Sequence, residues 1–93
     1  YKKEGHHLVT DLHIKLTSAL LGDAIQLETL DGSITLDIPQ GIHHGELLRV
    51  RGKGVVIDSS RRGDLYVRIL VDIPKKLSKS TKNLIEELKK EGL

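Results

Sequence analysis

The segment that most constrains the fold is residues 64–73, in which every second residue is aliphatic. Successive side chains of a β-strand point to opposite faces of a sheet, so a period of two is the pattern of a strand. This is the longest such alternation in the chain, which favours a central position in the sheet. Pro74 cannot donate to a neighbouring strand and is predicted to end the element. The alternating residues are Leu65, Val67, Ile69, Val71 and Ile73.

Four shorter segments are also predicted to form strands. The second and third of them flank Asp31-Gly32, a common two-residue hairpin signal because both residues accept a positive φ. Between the first and second, residues 17–22 suit one helical turn closed by Gly22. The four segments are residues 8–16, with Leu8, Leu12, Ile14 and Leu16 on one face, and residues 24–29, 33–38 (ended by Pro39) and 46–51.

The last segment, residues 78–93, is predicted to form an amphipathic helix. At about 100° per residue, Leu84, Ile85 and Leu88 fall on one side together with Thr81. A left-handed Gly92 would end the helix in a Schellman cap, with Leu93 placed against Leu88. Such a helix needs a partner surface, either the core of its own chain or a second copy of the protein.

Strands followed by a helix predict a mainly β (α+β) fold: a small twisted-sheet β-sandwich domain with one short helical turn and the terminal amphipathic helix. The 93 residues suffice for one core, and we divide them into a β-domain at 1–76 and the helix at 77–93. No apolar run approaches the roughly 20 residues that cross a bilayer. The chain lacks cysteine and does not begin with Met, so we expect a fragment from a reducing compartment.

No motif indicates catalysis, a metal or a cofactor. Gly52-Lys53-Gly54 lacks the spacing of a phosphate-binding loop and is interpreted as a tight turn. The pairs His6-His7 and His43-His44 are poorly arranged to chelate a metal within a pair, because adjacent side chains of a strand point to opposite faces, and surface histidines are the favoured interpretation. There is no cysteine and no Gly-x-Ser-x-Gly nucleophile motif. Asp31, Asp58 and Asp64 are expected to bond their own backbone in turns, so the chain is predicted to be a binding or assembly module and not an enzyme.

A nucleic-acid-binding β-module remains the alternative. Its basic patch would consist of Arg49, Arg51, Lys53, Arg61 and Arg62. Against it, 15 basic residues are nearly balanced by 13 acidic ones, and the aromatic residues are two tyrosines. Proteins that hold single strands commonly stack bases on aromatic rings.

Five motifs in order resemble the DnaJ family of J-domain co-chaperones, specifically the second carboxy-terminal β-domain with its terminal dimerisation helix. The resemblance covers nearly the full chain. The motifs are Ser18-Ala19-Leu20-Leu21-Gly22, Thr29-Leu30-Asp31-Gly32, Pro39-x-Gly41 with Gly45, Arg49-Val50-Arg51-Gly52-Lys53-Gly54 and Gly63-Asp64-Leu65.

The resemblance implies a cytoplasmic co-chaperone that holds unfolded client polypeptides and delivers them to a DnaK-type ATPase chaperone as a V-shaped homodimer. This chain would be the dimerising arm, without the J domain, the zinc-binding region or the first β-domain, and so without a cofactor. Neither nucleic acid nor membrane is an implied partner. The resemblance assigns the dimer contact to Leu84, Ile85, Leu88 and Leu93, and structural roles to Asp31, Gly32, Pro39, Gly41, Gly45, Gly52, Gly54, Gly63 and Asp64.

Overall fold

The computed structural model describes residues 2–29, 32–57 and 61–93. Within these ranges there are six strands and two helices. In chain order they are β1 (Lys2–Glu4), β2 (His7–Lys15), α1 (Leu16–Leu21), β3 (Asp23–Thr29), β4 (Gly32–Ile38), β5 (Leu47–Val50), β6 (Leu65–Asp72) and α2 (Lys79–Lys90).

The strands form two sheets. The larger has the order β1-β2-β6-β5, and the smaller is the β3-β4 hairpin. β6 lies inside the larger sheet, parallel to β2 and antiparallel to β5, which confirms the prediction of a central strand. Parallel neighbours need a long crossover connection, and here the chain between β2 and β6 supplies it with α1, the hairpin and β5.

The core lies between the two sheets. Leu65, Val67 and Ile69 of β6 are completely buried, and they pack in one cluster with Leu36 and Ile38 of β4. Fully burying such a side chain contributes about 1.5 to 3 kcal/mol, so the alternating segment holds the two layers together. The fold is therefore the mainly β, two-layer domain that the sequence predicts.

The last residue of each of two alternating segments departs from the prediction. Leu16 begins α1 and is 37% exposed, instead of continuing the buried face of β2. Ile73 lies beyond the end of β6 and is 70% exposed. An alternating pattern continues past the last hydrogen-bonded pair, so periodicity alone overestimates the strand. The predicted helical turn is confirmed, since α1 ends at Gly22 with φ 83°.

The first strand and the hairpin turn also differ from expectation. β1 is polar and three residues long, with no alternation to reveal it, and it forms by pairing antiparallel with β2. In the hairpin Thr29 pairs with Gly32, which makes Gly32 the first residue of β4. Gly32 therefore belongs to the strand and not, as predicted, to the turn, and Asp31 lies outside the described residues.

α2 has well-defined caps at both ends. The hydroxyl of Ser78 accepts the N–H of Thr81 at 3.2 Å. At the other end the N–H of Leu93 donates to Leu88 and that of Gly92 to Lys89, with φ 93° at Gly92. These two bonds form the predicted Schellman motif.

α2 projects from the β-domain. No residue of the helix is buried. The chain measures 55 × 21 × 20 Å with a radius of gyration of 16.7 Å, against about 12 Å for a compact chain of this length. Neither helix in the described ranges has the length and apolarity needed to cross a bilayer.

Candidate functional site

The glycine motifs converge at the start of β6. A Cβ on Gly63 would overlap the carbonyl oxygen of His6, and one on Gly54 would lie 2.5 Å from the carbonyl oxygen of Asp64. Backbone hydrogen bonds hold this approach: Gly54 donates to Gly63 at 2.9 Å, Gly63 to Val55 at 2.8 Å, and Val55 to His6 at 3.0 Å. Only glycine allows three backbone segments to meet here.

Asp64 is buried at the same place. Its carboxylate accepts the N–H of Gly52 at 2.9 Å and Nε of Arg49 at 2.6 Å. These bonds, that of Gly52 first, lower the pKa of Asp64, and Asp64 in turn raises the pKa of Arg49. The expected bond to its own turn backbone is replaced by bonds to groups 12 and 15 residues away.

The cluster around Gly52 and Gly54 is consequently structural. A phosphate-binding loop offers its free backbone N–H groups to the ligand. Here the N–H of Gly52 is bonded to the Asp64 carboxylate and that of Gly54 to the carbonyl of Gly63. Gly52 has φ 72°, as the predicted tight turn requires.

The remaining motif residues brace the loop between β4 and β5. Pro39 follows the last residue of β4. Gly41, with φ 76°, donates its N–H to Ala19 of α1 at 2.9 Å, and Gly45, with φ 86°, donates to Ile69 of β6 at 2.6 Å. The loop is thereby tied to both α1 and the central strand.

Three of the histidines take part in hydrogen bonds at separate places. Nδ1 of His7 accepts the N–H of Asp64 at 3.0 Å, and Nδ1 of His44 accepts the N–H of Val71 at 2.9 Å. Nδ1 of His13 lies 2.8 Å from a carboxylate oxygen of Asp72. In the described part of the chain no three metal-ligating side chains come together.

Part of the proposed basic patch is engaged in the fold. Arg49 binds Asp64. Arg62 donates to the carbonyl of Gly54 through Nε at 3.2 Å and Nη2 at 3.0 Å. These two guanidinium groups therefore stabilise the motif cluster, the group of residues around Gly52, Gly54 and Asp64.

The surface best suited to contact another molecule lies at the other end of β6, near Asp72. There α2 and the β-domain enclose an open apolar cleft of about 570 Å³. Thr81 and the predicted dimer residues Leu84, Ile85 and Leu88 line it together, so the helix has the face that the sequence indicates. Leu93 is 77% exposed and is not part of the lining.

Sequence reasoning missed the other wall of this cleft. It consists of Leu16 and Leu20 of α1 with Ile73 and Leu77 after β6. Leu16 and Ile73 each continue an alternating pattern, which predicts that they lie on buried strand faces. Each lies at the end of its pattern and next to a predicted helical segment, and this position is the feature of the sequence that could have indicated exposure.

The comparisons with known proteins agree with this fold. Residues 1–74 match the family model described as the DnaJ C terminal domain. Proteins named Chaperone protein DnaJ are similar along nearly the whole chain: that of Rhodopirellula baltica is 43% identical over 95% of the chain, and that of Treponema denticola 42% over 95%. The Clostridium tetani protein is 40% identical over 91%.

The chain spans about a quarter of the length of these relatives, 23% of the Rhodopirellula baltica protein and 24% of the Treponema denticola protein. The family match covers both sheets and the motif cluster, and ends at Pro74, before α2 begins. The family match, supported by the two-sheet fold and the motif glycines, shows that the chain belongs to the DnaJ C-terminal domain family.

Proposed function

We propose that this chain is the dimerisation and client-holding domain of a cytoplasmic DnaJ-type co-chaperone. The whole protein would deliver unfolded polypeptides to a DnaK-type ATPase chaperone, with this domain joining two copies. The names of the relatives, each a Chaperone protein DnaJ, support the chaperone role. The dimerisation role rests on the described surface.

The observation that carries the proposal is the uncovered apolar face of α2. Leu84, Ile85 and Leu88 are 67%, 39% and 42% exposed on a helix that projects from the domain. Each stands to gain up to about 1.5 to 3 kcal/mol on full burial, before the cost of association. A twofold axis applies this gain to both protomers, since the same surface is used on each side.

Dimerisation matters for client holding because it links two weak contacts. A second contact on the same client becomes intramolecular, and its effective concentration is set by the distance between the two arms.

The edges of the larger sheet, β1 and β5, are surfaces to which an extended peptide can add by backbone hydrogen bonds. Titration with an unfolded peptide, followed by amide NMR, should shift edge-strand signals; unchanged signals at millimolar peptide would contradict client holding by this domain.

The dimer is tested by Leu88→Asp. A buried charge at the helix interface cannot be accommodated, so we expect this variant to sediment as a folded monomer in analytical ultracentrifugation at concentrations where the unaltered chain is a dimer. Asn83→Asp is the matched control, because it adds the same charge on the opposite side of α2 and should remain dimeric. A dimeric Leu88→Asp protein, or an unaltered chain that is monomeric, would refute the proposal.

A further inference from the structure

We propose that His44 is a pH-sensitive cap on the uncovered edge of β6. Its neutral ring occupies the backbone N–H of Val71, and protonation of the ring releases this N–H to the backbone of an extended polypeptide. The peptide-binding part of this inference rests on the proposed client holding. It names one strand edge that a client can reach and the condition under which the client reaches it.

The edge exists because β5 is shorter than β6. The first residue of β5, Leu47, pairs with Arg68, whereas β6 continues to Asp72. Residues 69–72 therefore extend past β5, and within the described ranges no further strand lies on that side of β6. Unpaired backbone groups on a strand edge are the groups to which another chain can add.

The loop before β5 covers this edge in two different ways. At Ile69 the cover is backbone: the N–H of Ile69 donates to the carbonyl of Glu46 at 2.9 Å, and its carbonyl accepts the N–H of Gly45 at 2.6 Å. Continued past Leu47, the register of β5 and β6 would place residue 44 opposite Val71. There the cover is a side chain, because the N–H of Val71 donates to Nδ1 of His44 at 2.9 Å.

A ring nitrogen accepts a hydrogen bond only under some conditions. Nδ1 accepts when the ring is neutral and the hydrogen is on Nε2, whereas a protonated ring carries hydrogen on both nitrogens and accepts nothing. Histidine side chains change charge between about pH 5 and 8. A carbonyl oxygen remains an acceptor throughout that range. Acid therefore removes the cover from Val71 and leaves the two bonds of Ile69 in place.

Few charged groups compete for the His44 ring. The exposed ring lines an apolar pocket of about 440 Å³ together with α1, residues 41–43, Val71 and Ile73. α1 contributes no titratable side chain. The titratable neighbours are His43 and Glu46 in the same loop and Asp72, whose carboxylate lies 2.8 Å from Nδ1 of His13. An acid-induced change at Val71 can consequently be assigned to His44 once His43 and His13 have been replaced as controls.

His7 makes a similar bond with a different consequence. Its Nδ1 accepts the N–H of Asp64 at 3.0 Å, inside the motif cluster. The strand that carries His7, β2, has a neighbour on both sides, β1 and β6. Loss of the His7 bond therefore uncovers no strand edge, and the amide of Asp64 reports on it separately from that of Val71.

The cap is tested by amide hydrogen exchange on the unaltered chain at pH 7.5 and 5.5. After correction for the intrinsic exchange rate, the protection of Val71 should fall about tenfold relative to that of Ile69, the effect of losing one hydrogen bond. Nitrogen NMR of the imidazole should show that Nδ1 of His44 carries no hydrogen at pH 7.5. Constant relative protection of Val71, or a hydrogen on Nδ1 at pH 7.5, would overturn the inference.

His44→Asn is the matched variant. The side-chain oxygen of asparagine can take the place of Nδ1 as an acceptor and does not titrate. We expect Val71 in this variant to be protected equally at both pH values. His43→Asn and His13→Asn are the controls and should keep the pH dependence of the unaltered chain. Loss of the dependence in either control, or its persistence in His44→Asn, would assign the effect to another group and refute the cap.

Peptide binding is measured at the same two pH values. The probe is an unfolded apolar peptide with blocked ends and no titratable side chain, so that any pH dependence belongs to the protein. We expect its dissociation constant to be about threefold to tenfold lower at pH 5.5 than at pH 7.5, with amide shifts at Val71, and to be the same at both pH values for His44→Asn.

The outcomes separate this inference from the proposed function. If the peptide binds equally at both pH values and shifts only β1 or β5, client holding stands and the inference is wrong. If Val71 loses protection in acid but the peptide binds at neither pH, client holding by this domain fails, and with it the peptide-binding part of the inference. If Val71 keeps its protection in acid, the inference is wrong whatever the peptide does.

Discussion

At Gly63 the backbone of three segments comes so close that no side chain fits. Its N–H donates to Val55, while the carbonyl of His6, which a Cβ would overlap, accepts the N–H of Val55. Gly45 differs, because it has φ 86° and open space around the position of a Cβ. The two glycines therefore meet different physical requirements, a close approach at one and a left-handed backbone at the other.

This difference is testable by substitution. Gly63→Ala must displace the His6 carbonyl and weaken its bond to Val55, and should lower the free energy of unfolding by about 3 kcal/mol or more. Gly45→Ala carries only the penalty of a left-handed residue, about 1 to 2 kcal/mol. Urea denaturation of both variants measures this; equal losses would contradict the close-packing argument.

Asp64 makes stability depend on pH in a defined direction. Its pKa is lowered in the folded chain, first by the N–H of Gly52 and then by Arg49. A carboxyl group of this kind stabilises the fold above its unfolded pKa, and the contribution is lost as the pH falls through the folded value. Asp64→Asn should lower Tm near pH 7 and make the loss of Tm below about pH 4 shallower. An equal decrease of Tm at neutral and acidic pH would contradict this account.

At the scale of the element, the caps of α2 matter because the helix is short and unburied. It has twelve residues, none of them buried, and isolated helices of that length are marginal in water. The Ser78 hydroxyl and the Schellman bonds satisfy end groups that would otherwise be left to solvent. Packing against a second copy would supply the remaining stabilisation.

Ser78→Ala should therefore weaken the dimer without touching the apolar face. Losing an N-cap costs a helix about 1 kcal/mol. A dimer that requires both helices loses about 2 kcal/mol, which corresponds to about a thirtyfold rise in its dissociation constant. Asn83→Ala is the control, since Asn83 lies within the helix on the side away from the apolar face and does not cap it. Sedimentation equilibrium compares them; a larger weakening of the dimer by Asn83→Ala would contradict the assignment of the cap.

At the scale of the whole molecule, the core and the projecting helix are separate. All core residues lie between Leu8 and Val71, and α2 adds none. The chain is elongated, 55 Å in its longest dimension. The division into residues 1–76 and 77–93 therefore predicts that the β-domain folds without the helix.

A chain of residues 1–76 should fold alone and be monomeric. We expect its amide NMR spectrum to superimpose on that of the full chain except near the cleft, and its Tm to stay within about 5 °C of a Leu88→Asp monomer. Unfolding of the shortened chain would show that α2 belongs to the core. Persistent dimerisation would place the interface elsewhere.

The sequence by itself determined the elements whose signals are local. The alternation in β6, the hairpin, the helical turn before Gly22 and the C-terminal cap of α2 depend on residues a few positions apart, and they appear as predicted apart from shifted ends. The family motifs were readable for the same reason. What a local pattern cannot contain is the identity of a distant neighbour.

Only the tertiary structure decided the remaining features. β1 forms because β2 offers it an edge, and β2 lies parallel to β6 because the intervening chain crosses between them. Asp64 finds its partners 12 and 15 residues away. Leu16 and Ile73, at the ends of two apolar patterns, become one wall of a cleft. Each of these features depends on which distant segments the folded core brings together. The periodicity of the sequence does not encode those contacts.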